Sequence, residues 1–292
     1  MLDKNIQIIT ILGPTASGKT DLALALTAKY NGEIICADSR TIYRAMDIGT
    51  AKPSVEDQAK VPHHLLDLID PGETLSAGAF KRLAEAKIVE ISKRGHVPFL
   101  VGGSGLYIDA VIYDYQFPLA ALPGLRDQLE MLSDNELRHK LAAEDEAQFV
   151  RIDTNNRRRL IRALETSGQI LSKRDRQLPN VLTLGLRLNK EVMQQRIEKR
   201  IEKMLQQGLL NEVKTIGDTY GWDSEALSGT GYRAFRAVVN GSKTVAEGVS
   251  DNVHGDMMLV KKQMTWFRRN PDIHWLDKPS EADGLVRDFL GM

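Results

Sequence analysis

Residues 13–20 read Gly13-Pro14-Thr15-Ala16-Ser17-Gly18-Lys19-Thr20, which fits G-x-x-x-x-G-K-[ST]. This stretch constrains the fold more than any other. The pattern works only as a turn between a buried parallel strand and a helix. Both flanks comply. Ile6 to Leu12 is apolar and β-branched, as a buried parallel strand should be. Asp21 to Lys29 sets Leu22, Ala25 and Leu26 on one helical face. Glycines let backbone N–H groups turn toward an anion, and the helix N-terminus adds positive potential. Lys19 would place a point charge on terminal phosphates, and the Thr20 hydroxyl would reach Mg²⁺. The loop alone fits ATP, GTP or any pyrophosphate ester.

The expected fold class is α/β: a P-loop-type parallel sheet flanked by helices, with a helical insertion. Glu33 to Ala37 reads as a second strand and ends in Asp38-Ser39-Arg40-Thr41. Polar residues at the C-terminal end of a parallel strand face the ligand crevice. Asp38 is therefore expected near the phosphates. Pro62 to Asp67 leads into a short strand, and His63 and His64 lack a third ligand at metal spacing. Ala79 to Arg94 is helical, closed by Gly95, and Val97 to Val101 is a strand running into Gly102-Gly103-Ser104-Gly105. In P-loop hydrolases an acid positions Mg²⁺. Here the expected place, the end of that strand, holds glycines.

From Asp114 the rhythm changes to successive helices: Leu125–Leu132, Asp134–Ala143, Glu146–Val150 and Asn156–Ser167. The expected division is a core over 1–113, a helical insertion over 114–178, and the rest of the core with C-terminal helices over 179–292. An insertion of about 60 residues is the size of a small subdomain. A strand resumes at Val181–Leu188. Lys190–Gln206 is an amphipathic helix that puts Arg196 and Arg200 on one face. Further helices are expected at Tyr232–Asn240, Met257–Arg269 and Asp283–Leu290, with a strand at Ile273–Trp275.

Composition narrows the function classes. The single cysteine, Cys36, excludes an intrachain disulfide and a cysteine-built zinc site. No apolar run is long enough for a bilayer. A reducing, cytoplasmic setting is expected. Net charge is zero but unevenly spread. Residues 127–148 carry seven acids, whereas residues 151–203 carry fourteen Lys/Arg against six Asp/Glu. Most such runs are solvated helix faces. A basic stretch in a neutral protein is also where a polyanion would dock.

Taken together, several runs closely resemble the bacterial tRNA dimethylallyltransferases. They are Gly13–Thr20, Ala37–Arg40, Ile42-Tyr43, Met46–Pro53, Pro62–Asp67 and Val101–Tyr107, then Arg158–Glu165, Gly231–Arg233 and Lys261–Arg268. The resemblance covers most of the chain, and Met46–Pro53 and Trp266-Phe267-Arg268 are its most specific parts. It implies transfer of a dimethylallyl group from dimethylallyl pyrophosphate to N6 of the adenosine 3′ to the anticodon, in tRNAs reading codons that begin with U. The loop, Gly13 through Thr20, would then hold a leaving pyrophosphate with Mg²⁺, and Arg200 would join it. Asp38 would be the general base; a Mg²⁺ ligand and a strand-end cap are its other readings, and a surface charge is that of Arg200. The same resemblance implies tRNA contacts at Asp38, Ser39, Arg40, Thr41, Gly103, Ser104, Leu125 and Arg126. It extends them to Arg157, Arg158, Arg159, Leu160, Ile161 and Arg162, with Gly231, Tyr232, Arg233, Lys262, Gln263 and Arg268. The implied partners are a tRNA anticodon stem-loop and dimethylallyl pyrophosphate, with no membrane, and the chain is expected to act as a monomer.

Departures from the family pattern are Ser104 for a usual Thr, Asn156 for a common Asp and Thr41 for a frequent Gln. The zinc module of eukaryotic relatives is missing. Three other functions remain open on the residues. These are a small-molecule kinase using ATP, a nucleotide-switched RNA-binding module, and a prenyl transferase acting on free adenylate.

Overall fold

The computed structural model describes Asp3, residues 5–118, residues 124–166, Gln169 and residues 171–292. Two compact units are present: Met1–Asp114 with Asp175–Met292, and Tyr115–Arg174.

The first unit is built on six parallel strands. β1 (Ile8–Leu12) runs into the loop and then α1 (Lys19–Lys29), followed by β2 (Gly32–Cys36). Next come α2 (Val55–Lys60), β3 (His63–His64), α3 (Ala77–Lys93), β4 (Val97–Gly102) and α4 (Gly105–Ile112). The strand order is β3-β2-β4-β1, continued by β5 (Val181–Leu186) and β6 (Ile273–Leu276). Parallel pairing explains the near-continuous apolar runs, because both faces of such a sheet are covered. β1 and β5 are buried at every position. One core gathers Ile9, Ile11, Leu22, Leu26, Ile34, Phe99, Leu184 and Val286.

The second unit holds α5 (Leu125–Glu130), α6 (Asp134–Glu144), α7 (Glu146–Arg151) and α8 (Arg157–Glu165). Each helix is short, and caps fix where three of them start. Ser133 and Glu136 form a capping box on α6, Asp145 caps α7, and the Asn156 side chain accepts from the Arg159 N–H on α8. Asn caps as well as Asp does, so the missing charge at 156 leaves the helix start intact. Leu129, Leu137, Leu141, Leu160, Ile161 and Leu164 make this unit's core. Truncating one of these leucines to alanine costs about 2–5 kcal/mol, enough to unfold so small a core. The expected end of α8 at Ser167 lies outside the described residues.

Behind the sheet's C-terminal edge stand α9 (Lys190–Gln206), α10 (Leu209–Tyr220), α11 (Thr230–Val239) and α12 (Val245–Phe267), with α13 (Ala282–Leu290) at the chain end. α9 to α12 share a second core with Ile42, Tyr43 and Met46, whereas Ala282 and Val286 of α13 belong to the first. α9 spans the residues expected for it. α12 begins twelve residues before the expected Met257, because a Thr244–Glu247 capping box starts it and the glycines at 248 and 255 do not interrupt it. α2, α4 and α10 were not anticipated. No described helix is long and apolar enough to cross a membrane.

Candidate functional site

The loop between β1 and α1 meets the ends of β2 and β4 and the faces of α9 and α12 around a cleft of about 840 Å³, lined by residues of the first unit. Gly18 takes φ +93°, a conformation that a side chain would strain, and caps α1. Thr15, Ala16, Ser17, Gly18, Lys19 and Thr20 line the cleft, and Gly13 and Pro14 sit buried behind them. The Lys19 amine donates to the Pro14 carbonyl at 2.7 Å. Burial lowers its pKa to about 8, against the pull of Asp38 and with the push of Arg200. Lys19 is half-buried and donates to no carboxylate among the described residues, so an anion in the cleft would meet a charge that burial has left under-compensated.

Arg200 comes from α9. Its Nη1 donates to Thr15 Oγ1 at 2.6 Å, while its buried Nε meets no acceptor among the described residues. Arg196, one turn earlier, reaches the Ala16 carbonyl at 3.5 Å. Asp256, on α12, faces Arg200; it is buried and accepts from the Thr230 hydroxyl. Burial raises the Asp256 pKa above the usual carboxylate range, and Arg200 opposes that.

Opposite the loop, Asp38 stands two residues beyond the end of β2. Its Oδ1 accepts the Arg40 N–H at 2.8 Å, a strand-end cap that leaves Oδ2 with no protein donor among the described residues. Ser39 N–H donates to Ser104 Oγ at 2.8 Å, so the hydroxyl that stands for the family's Thr ties β2 to β4. Arg40 is committed to the protein: it donates to the Glu225 carbonyl at 2.9 Å and to Ser228 Oγ at 3.1 Å. Thr41 is buried and its hydroxyl has no partner among the described residues.

Of the expected RNA contacts, Asp38, Ser39, Arg40, Thr41, Gly103, Ser104, Tyr232, Arg233, Lys262 and Gln263 line this cleft. Arg233 and Lys262 are exposed in it. Tyr232 lies 2% exposed and donates its hydroxyl to Glu212 Oε1 at 2.5 Å. Gly231 is buried beside it, and Arg268 caps α12 in solvent. In the second unit Arg158, Arg159 and Arg162 are exposed on α8. Leu160 and Ile161 are core, so their side chains offer no outward surface. Leu125 packs on that core. Arg126 and Arg162 both pair with buried Glu165, at 3.2 and 3.3 Å. Arg157 is a clamp: it donates to Asp134 Oδ1 and to the Glu130 and Leu132 carbonyls.

Glu212 had no signal in the sequence reading. From α10 it accepts the N–H groups of Asp47, Ile48 and Gly49 at 2.8–2.9 Å, together with Tyr232. It thereby fixes the loop whose Gly49, Thr50 and Ala51 form a wall of the cleft. Asp256 could have been found, since Asn252 and Asp256 place two polar residues at i, i+4 on the buried face of α12. His63 and His64 turn to different partners, the Val61 carbonyl and Glu33.

A parallel sheet in this order, with a glycine-and-lysine loop after its first strand and the cleft at the strand ends, defines a P-loop-type α/β protein. The match to known proteins is narrower. Residues 41–270 match the family model described as IPP transferase. A tRNA dimethylallyltransferase of Staphylococcus aureus (strain bovine RF122 / ET3-1) is 38% identical, covering 97% of this chain and 96% of that protein. Among solved structures, a tRNA isopentenylpyrophosphate transferase of Bacillus halodurans is 34% identical with a TM-score of 0.74, covering 98% of this chain and 97% of that one. A eukaryotic dimethylallyltransferase acting on tRNA superposes with a TM-score of 0.83 at 21% identity, over 98% of this chain and 80% of that one, which is a likeness of fold. The chain belongs to the IPP transferase family and is a prenyl transferase by class.

Proposed function

We propose that this enzyme transfers a dimethylallyl group from dimethylallyl pyrophosphate to N6 of the adenosine 3′-adjacent to the anticodon, in tRNAs reading codons that begin with U. Relatives named tRNA dimethylallyltransferase over nearly the full length support the tRNA substrate. The observation that carries the mechanism is that Lys19 and Arg200 on one wall and Asp38 on the other line one cleft.

An exocyclic adenine amine is a weak nucleophile because its lone pair is delocalised into the ring. The donor compensates as its allylic C–O bond breaks and the carbon gains cationic character. The N6–C bond forms and the electron pair of the broken bond leaves with pyrophosphate. Negative charge on that group is stabilised by the loop N–H groups, the Lys19 ammonium and the Arg200 guanidinium. An ordinary carboxylate cannot strip a neutral amine. Asp38 instead orients the N6 hydrogens through Oδ2 and takes the proton once N6 is cationic. The target base lies in a stacked anticodon loop and must be extruded to reach the cleft.

Mg²⁺ fits the donor set. Thr20 presents an exposed hydroxyl beside Lys19, an oxygen ligand of the kind this ion takes. Thr20 would hold the ion beside the phosphate loop, and no group of three acid, His or Cys donors occurs among the described residues. When bound it neutralises charge on the leaving group.

The test is mass analysis of tRNA nucleosides after incubation with donor and enzyme. A dimethylallyl adduct on adenosine is expected, and Asp38→Asn should lower turnover about 100-fold or more while RNA binding persists. Turnover of ATP without the prenyl donor would replace this reading with a kinase.

A further inference from the structure

The amide of Gln263 is spent on the protein itself. Its Oε1 accepts the Thr15 N–H at 3.0 Å and its Nε2 donates to the Gly103 carbonyl at 2.9 Å. Neither contact is local: Gln263 sits on α12, Thr15 in the loop after β1, and Gly103 just beyond β4. A side chain held at both ends cannot swing to a ligand without breaking one of the two bonds. The fit at Gly103 is close, since a Cβ there would lie 2.6 Å from Gln263 Nε2. Thr15 passes the contact on, because its hydroxyl accepts from Arg200 at 2.6 Å. A continuous line therefore runs Gly103, Gln263, Thr15, Arg200. It starts beside Ser104, on the side expected to meet RNA, and ends on the cation expected to meet pyrophosphate.

We propose that Gln263 is a positioning residue that braces Thr15 of the phosphate loop against the end of β4, so that pyrophosphate affinity depends on it before any RNA is bound. The assignment rests on the prenyl-transfer reading of the same cleft. It differs from a role for Gln263 as an RNA contact in what it perturbs. An RNA contact acts on RNA affinity alone, whereas a brace acts on the anion held by the loop.

The experiment titrates magnesium pyrophosphate calorimetrically into RNA-free wild type, Gln263→Met, Gly103→Ala and the double variant. Met keeps the length and removes both hydrogen bonds. Gly103→Ala pushes Gln263 away without altering it and keeps the test alive should Gln263→Met fail to fold. Each single variant should bind pyrophosphate roughly tenfold more weakly, the scale of a lost hydrogen-bond pair. The double variant should lose no more than the worse single one, because both changes break the same link. In steady state, Gln263→Met should raise KM for the prenyl donor and leave KM for RNA. Unchanged pyrophosphate affinity with weakened RNA binding would overturn the brace, and so would additive losses in the double variant. Variants that show these pyrophosphate losses, with a wild type that prenylates no tRNA, would overturn only the functional reading.

Discussion

Replacing Lys19 with methionine should stabilise the ligand-free protein, although it removes a cation proposed to hold the donor's pyrophosphate. The amine is lowered from 10.5 to about 8 mainly by burial. At about 1.4 kcal/mol per pH unit, that shift corresponds to roughly 3 kcal/mol of penalty on the charged form. The folded pKa lies below the unfolded one, so the unfolded chain binds more protons between about pH 8 and 10.5. Stability from this group therefore rises with pH across that window, and the penalty is fully present below it. Methionine carries no such penalty but forfeits the hydrogen bond to the Pro14 carbonyl, about 1 kcal/mol. The net expectation at pH 7 is a gain of about 2 kcal/mol, shrinking to nothing or reversing near pH 10.5. Urea unfolding of both proteins from pH 7 to 10 measures it. Adding magnesium pyrophosphate at pH 7 should invert the order, because the anion shelters the lysine's charge and stabilises only a protein that binds it. A methionine variant less stable than wild type at pH 7 without ligand would refute the reasoning, as would a difference that does not change with pH.

Glu212→Ala leaves three backbone N–H groups and the buried Tyr232 hydroxyl without their acceptor. A loss of about 3 kcal/mol is expected, a drop of roughly 6–12 °C in Tm by calorimetry; a drop under about 2 °C would mean the loop holds itself. Tyr232→Phe should cost about 1 kcal/mol, most of it absent in the Glu212→Ala background, as a double-mutant cycle would read. Exchanging Arg158, Arg159 and Arg162 for Gln should weaken tRNA binding and reduce its log–log salt slope by about 2 to 3. An unaltered slope in filter binding would place that helix face away from the RNA. Arg157→Ala should instead lower the stability of the insertion, since its guanidinium joins Asp134 to two carbonyls, and limited proteolysis would report the opening.

The parallel sheet and its loop could be read from the sequence because their signals are local. β1, β2, β4 and β5 are short apolar runs with turn residues at their ends, and a buried parallel strand leaves little else to choose. α9 was legible end to end because Asn189 caps it and Gly208 follows it. α12 was not, because glycines at 248 and 255 look like breaks until α11 is packed against them. The site divided in the same way. Lys19, Asp38 and Arg200 were visible in sequence and line one cleft, since each stands at a strand or helix position that faces the strand ends. Glu212 was invisible because what it does depends on elements far along the chain, whereas the Asn252/Asp256 spacing on α12 carried a signal that was not used. Tyr232 and Gln263 belong to recognisable runs, but the runs do not reveal that both side chains are bonded to the protein.

The glycines after β4 acquire a cause that the phosphate loop does not supply. β4 lies between β1 and β2, and Ala37 N–H donates to the Val101 carbonyl at 2.7 Å. A Cβ on Gly102 would stand 1.9 Å from the Ala37 carbonyl oxygen. No side chain fits there without displacing the backbone that carries Asp38. The next two glycines are crowded by side chains and not by backbone, Gly103 by the Gln263 amide, which can shift, and Gly105 by the Trp266 ring, 2.3 Å from where its Cβ would be. Trp266 is itself held by a hydrogen bond to Asp109 at 2.8 Å. The acid that hydrolytic P-loop proteins use to position Mg²⁺ could not be restored at Gly102 by substitution. The space its side chain needs is occupied by the backbone that presents a different acid, Asp38, from the next strand. In this packing, an acid at position 102 and a correctly placed Asp38 beyond β2 exclude each other. That steric exclusion bars an acid from position 102 for activating water, a step that the proposed prenyl transfer does not require.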